Sequence, residues 1–148
     1  MQCSLWEPVD QLVGPCADIS FAYSTRESVS VTMHFSLTPG LPNRDLVIYF
    51  NGVLSLLWEL EGPGVSAMPR NLPKCPEPEW KSWTFPLLNV TGSEWLSQYQ
   101  AIYSNGPAPL AHFLLVSTND LVQLIARADA VAEWIPGRAH LQAVERRA

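Results

Sequence analysis

The chain predicts an α+β domain: a bent, partly barrel-like, mostly antiparallel sheet of five to seven strands with two helices. Three observations carry this. The stretch from Asp45 to Gly62, DLVIYFNGVLSLLWELEG, sets two apolar runs on either side of Asn51-Gly52, a pair suited to the positive φ angles of a tight hairpin turn. Residues 18–37 alternate apolar and polar side chains, the period of two that a strand with one wet face needs. Two later stretches, 92–103 and 119–133, each join a capping residue to an apolar stripe at helical spacing.

Taken in order, residues 1–17 carry Pro8, Gly14 and Pro15 and read as an irregular lead-in. Ile19, Phe21 and Tyr23 alternate with Ser20, Ala22 and Ser24 as a short half-buried strand. Val29, Val31, Met33, Phe35 and Leu37 then face one way, and Ser30, Thr32, His34 and Ser36 the other. With a turn at Arg26-Glu27, residues 18–37 form a first hairpin. Pro39-Gly40-Leu41-Pro42-Asn43 breaks the pattern and leads to a second hairpin over 45–61; the alternative is one long bent strand with a bulge at Gly52. The first arm, Leu46 to Phe50, is apolar on both faces, as a covered central strand requires. The second ends in Trp58-Glu59-Leu60-Glu61, where acidic side chains reach the surface in alternation.

Pro63, Pro69, Pro73, Pro76 and Pro78 forbid a regular ladder or helix across 62–83. Structureless loops of that length are uncommon in compact domains. Trp80 and Trp83 at its end imply that part of it packs down, on its own domain or on a partner. Trp83 to Val90 reads as a strand in which Pro86 marks an edge or a bulge. Thr91 and Glu94 make a capping box ahead of Trp95, Leu96, Tyr99, Ile102 and Tyr103, a helical face that ends before Asn105-Gly106-Pro107. Leu110 to Ser117 is a buried strand. Ser117 and Asp120 make a second box-like start for the stripe Leu121, Leu124, Ile125, Ala128 and Ala132, which stops before Pro136-Gly137. One domain therefore spans 1–136, followed by a polar tail over 137–148. Its core is expected from Val31, Met33, Phe35, Ile48, Phe50, Leu56, Leu115, Leu121 and Ile125.

Composition bounds the class. With 148 residues, the chain can bury ~70% of its unfolded surface without staples. It is 47% hydrophobic and only 16% charged, with six Trp and thirteen Pro, which describes a globule with an apolar surface and not a disordered chain. A net charge of −5, with only Arg138, Arg146 and Arg147 approaching a cluster, argues against a nucleic-acid partner and favours a basic one. The opening MQCSLWEPVDQLVGPC has no basic region followed by an apolar core, and no run approaches ~18 apolar residues. A cytoplasmic protein without a membrane segment is expected. Cys3, Cys16 and Cys75 show neither CxxC nor zinc spacing, so they read as reduced thiols. Asn89-Val90-Thr91 matches a glycosylation acceptor, a match without meaning in that compartment.

No catalytic constellation, metal or cofactor is visible. His34 falls on the wet face of a strand, His112 inside an apolar strand as a hydrogen-bonded core residue, and His140 in the tail. No spacing gives HxH or HExxH. A thiol mechanism at Cys75 lacks a neighbour to lower its pKa. Glu59 and Glu61 share a strand face about 7 Å apart, a separation glycosidases use, although two solvated glutamates at a strand end account for them. Binding is better supported. Asp45, Glu59 and Glu61 lie at one end of the expected hairpin, beside the Pro-rich loop with Trp80 and Trp83, and an acidic rim next to aromatics suits a basic partner. The rival explanation is that these aromatics cap the open edge of the sheet.

The strand pair LVIYFNGVLSLLWE, the helix start Ser93-Glu94-Trp95-Leu96 and the later Asn119-Asp120-Leu121 succeed one another in an order similar to that of small acidic bacterial proteins of uncharacterised families. Many of these are encoded as immunity proteins beside polymorphic or contact-dependent toxins. The resemblance spans residues 28–135 and transfers no functional residue. It implies a non-catalytic, toxin-neutralising protein. On the rim described above, Asp45, Glu59 and Glu61 would steer association while Trp80 and Trp83 anchor it. The alternative is a carrier that holds a small apolar ligand in a half-closed barrel.

Overall fold

A computed structural model describes residues 1–23, 27–60, 72–103 and 105–137. Within them the chain forms β1 (Gln2–Leu5), β2 (Ile19–Tyr23), β3 (Val29–Met33), β4 (Arg44–Phe50), β5 (Ser55–Leu60), β6 (Leu87–Thr91), α1 (Glu94–Ile102), β7 (Leu110–Val116), β8 (Asp120–Arg127) and β9 (Val131–Pro136). Short 3-10 turns occupy Phe35–Leu37 and Pro78–Trp80. One sheet has the order β1-β6-β7-β8-β5 and the other β2-β3-β4-β9, with every ladder antiparallel. The α+β character and the antiparallel pairing agree with the sequence. Among the described residues the strands number nine, in two open sheets that do not close into a barrel. Among the described residues no helix is long and apolar enough to cross a membrane.

The registers decide which side chains meet. Leu56, Leu124 and Phe113 stand opposite one another across β5, β8 and β7, and Trp58, Val122 and Leu115 form the next row. In the second sheet Phe21, Val31, Ile48 and Ala132 make one row, and Ile19, Met33, Leu46 and Trp134 the next. The two sets pack face to face. Phe50 meets Phe113 at 5.0 Å between ring centroids, Trp6 lies 4.7 Å from Phe113 and 6.0 Å from Phe50, and Phe21 reaches Trp58 at 6.3 Å. Burying each such phenyl contributes roughly 1.5–3 kcal/mol. Of the expected core, Leu56 is only partly buried; the other eight are buried, with Phe35 on its 3-10 turn instead of a strand.

Two expected elements are corrected. Asn51-Gly52 does not close a hairpin: β4 pairs with β3 and β9, whereas β5 pairs with β8. The positive φ of Gly52, +56°, serves a corner at which the chain leaves one sheet for the other. The Arg127 N–H donates to Asn51 O at 3.0 Å, where β8 crosses back towards β9, so the two crossovers lie side by side. Nor is 119–133 a helix. Ser117 Oγ accepts the N–H groups of Asn119 and Asp120 at 3.3 and 2.8 Å, the bonds a cap would make, here used to tighten a strand-to-strand turn. The β8 segment LVQLIA is covered on both faces between β7 and β5, so its apolar residues recur without the alternation of a half-wet strand. The first helix is present, capped not by Thr91, which ends β6, but by Ser93, whose Oγ accepts the Leu96 N–H at 3.1 Å.

Candidate functional site

β5 is the last strand of its sheet, and among the described residues no strand pairs with its outer side. Its sequence SLLWEL leaves Leu57 44% and Trp58 55% exposed. Trp58 is nevertheless fixed in place. Its indole N–H donates to Asp120 Oδ1 at 3.1 Å and its ring packs edge-on to Phe21 of β2. The edge strands of the two sheets therefore approach each other at Trp58, and Tyr23, farther along β2, is exposed. Asp120 is held in turn by Ser117. On that same β7–β8 turn, Trp83, 45% exposed, shares a shallow cleft with Pro15, Cys16, Ser117 and Thr118. Two exposed indoles thus approach one hydrogen-bonded turn.

The expected binding residues do not all gather there. Glu59 lies on β5 beside Trp58, on the same strand face as Leu57. Glu61 lies outside the described residues. Trp80 is half-buried with its indole over Gly40. Asp45 sits in the other sheet and is only 2% exposed, so it is not part of an acidic rim. Its Oδ2 lies 3.0 Å from His34 Nδ1 and its Oδ1 accepts the Ser36 N–H at 3.0 Å.

His34, which the alternation pattern places in water, is buried and only 7% exposed. A carboxylate only accepts, so Nδ1 carries a proton, and in the neutral ring Nε2 is left to accept the Ser20 hydroxyl at 2.9 Å. Ser20, His34 and Asp45 thus form one continuous relay. The cue lies in register alone. Ser20 stands opposite Thr32 and Leu46 opposite Met33, which puts all three side chains on one face of β2-β3-β4, but neither pairing is written in the local pattern.

A second relay supports α1. His112 Nε2 lies 2.8 Å from Gln123 Oε1 and its Nδ1 2.9 Å from Ser93 Oγ. Burial lowers its pKa, although the Gln123 bond opposes this. Trp95 packs edge-on to this imidazole at 5.1 Å, and two clefts of about 560 and 460 Å³ adjoin it. The thiols are poor nucleophiles: burial pushes Cys75 up to about 11, and raises Cys16 as well. Comparison with family models, curated proteins and solved structures found no match for this chain.

Proposed function

We propose that this chain works by binding a basic protein partner along the β5 edge, in the manner of an immunity protein that covers its toxin. The observation that carries this is an apolar sheet edge left open among the described residues, with Leu57 and Trp58 exposed on it. Sheet edges are normally blunted by proline, lysine or a bulge, because unpaired N–H and C=O groups recruit other strands. An edge kept apolar suits strand addition, in which the partner's main chain supplies affinity and alternate side chains supply specificity. Trp58, already oriented by Asp120 and Phe21, would anchor at little ordering cost. Glu59, and the net charge of −5, would steer a basic partner. An apolar-ligand carrier is less favoured, since Phe50, Phe113 and Trp6 fill the space where a lumen would lie.

The test is to purify the toxin-like product of an adjacent gene, where one is encoded, and titrate it with this protein by calorimetry. A one-to-one complex is expected, with Trp58→Ala costing ~2 kcal/mol or more, about 30-fold in affinity. Glu59→Lys should slow association with little change in folding. No complex, or a complex indifferent to Trp58, would overturn the reading.

A further inference from the structure

We propose that Ser20 is an activated nucleophile and that the outer face of β2 carries an acyl-transfer site, acting on short-chain activated esters. The proposal goes beyond the binding reading and rests on β2, the edge strand that approaches β5 at Trp58. The Ser20–His34–Asp45 relay has the connectivity that nucleophile activation requires: a carboxylate on Nδ1 and a hydroxyl on Nε2, at 3.0 and 2.9 Å. It is also graded from inside to outside. Asp45 and His34 are buried, and the second Asp45 oxygen is pinned by the Ser36 N–H, whereas Ser20 is exposed. The end of the relay that would meet a substrate is the end open to water.

The edge position of β2 supplies a donor for the developing oxyanion. The His34 N–H donates to Asp18 O at 2.8 Å, and Ser20 stands opposite Thr32. By the alternation of an antiparallel ladder, the N–H groups of Ile19 and Phe21 then point away from β3, towards the open side of β2. Phe21 directly follows the nucleophile, the position whose N–H commonly stabilises an oxyanion. Besides His34, the residues of β2 and β3 that share this face with Ser20 are Ala22, Ser30 and Thr32, and Asp18 precedes it by two positions, opposite His34. The first three are small, and they form no apolar slot for a long chain.

The step balances without a co-reactant other than water. Ser20 Oγ attacks the carbonyl carbon while its proton passes to His34 Nε2, and the carbonyl oxygen becomes an oxyanion facing the Phe21 N–H. The bond to the leaving alkoxide breaks, and the imidazolium returns the proton to it, leaving an ester on Ser20. Water then attacks that ester with His34 as base. The bond to Oγ breaks, Oγ regains the proton, and a carboxylic acid departs.

The experiment treats the full-length protein, at mildly alkaline pH, with a fluorophosphonate probe and with p-nitrophenyl acetate. A single phosphonyl adduct on the peptide containing Ser20 is expected, together with catalytic release of p-nitrophenol. Ser20→Ala, at an exposed position and checked for folding by circular dichroism, should abolish both. Asp45→Asn, close in shape to the carboxylate, should lower both rates at least ~100-fold, the worth of holding His34 as base in its productive tautomer, if its spectrum shows it folded. A folded wild-type protein that takes no label, or takes it as fast in Ser20→Ala, would overturn the proposal.

Discussion

Truncating Phe50 probes the contact on which the two-sheet architecture rests. The ring is fully buried, meets Phe113 at 67° between planes and 5.0 Å between centroids, and lies 6.0 Å from Trp6. Phe50→Ala removes its transfer energy and leaves a cavity that strands held on both sides cannot close, because β4 is bonded to both β3 and β9. The expected cost is ~3–5 kcal/mol, a large part of the ~5–15 kcal/mol that holds a domain together. At about 2–4 °C per kcal/mol for this size, the melting temperature should fall by roughly 6–20 °C. Urea denaturation followed by tryptophan emission is the assay, since Trp6 contacts both phenyl rings. Phe50→Leu, which refills most of the volume, should cost under about 1.5 kcal/mol. A double-mutant cycle with Phe113→Ala should give a coupling of about 0.5–1.5 kcal/mol. A Phe50→Ala cost below ~1 kcal/mol, or strictly additive mutants, would refute the face-to-face packing.

Other substitutions separate further parts of the account. Asp45→Ala should cost ~1–3 kcal/mol in chemical denaturation, because it leaves the His34 Nδ1–H and the Ser36 N–H without their acceptor; a surface carboxylate would cost close to nothing. Gly52→Ala should destabilise by ~1–3 kcal/mol by the same assay, since it forces a side chain into positive φ and drives its Cβ to 2.6 Å from Arg127 Cγ. Stability should also fall as pH drops below ~6.5. The unfolded chain protonates His112 there, while burial keeps the folded imidazole neutral, so the unfolded state binds more protons. His112→Gln should flatten this part of a stability-against-pH profile, and an unchanged slope would contradict the origin assigned to it.

How much of the fold is legible in the sequence depends on the range of each signal. Val29 to Met33 and Leu46 to Phe50 read correctly as strands because alternation and two-sided apolarity are local consequences of burial. The helix over Glu94–Ile102 reads correctly as an element, but its cap is Ser93 and not Thr91, which ends β6, and Ile102 and Tyr103 of the expected stripe are exposed. Asn51-Gly52 misleads because a positive φ reports a sharp change of direction and not the strand to which the chain returns. Ser117-Asp120 misleads because a serine oxygen accepts N–H groups equally well at a helix start and in a tight turn. On the proposed binding edge, Glu59 stands out in the sequence, whereas Trp58 reads as one more apolar residue on a strand. Its exposure depends on β5 being an edge, which only the pairing order reveals. The convergence of Ser20 and His34 is hidden for the same reason: it runs through register across three strands.

The central claim, recognition through the β5 edge, is tested most directly by amide hydrogen exchange on the protein alone and mixed with that toxin-like product of an adjacent gene. A partner strand seated on β5 would bond its outward N–H groups. Exchange at Ser55 to Leu60 should then slow markedly in the complex, while the opposite edge at Gln2 to Leu5 stays unchanged. Exchange at β5 that is the same with and without the partner would contradict the account.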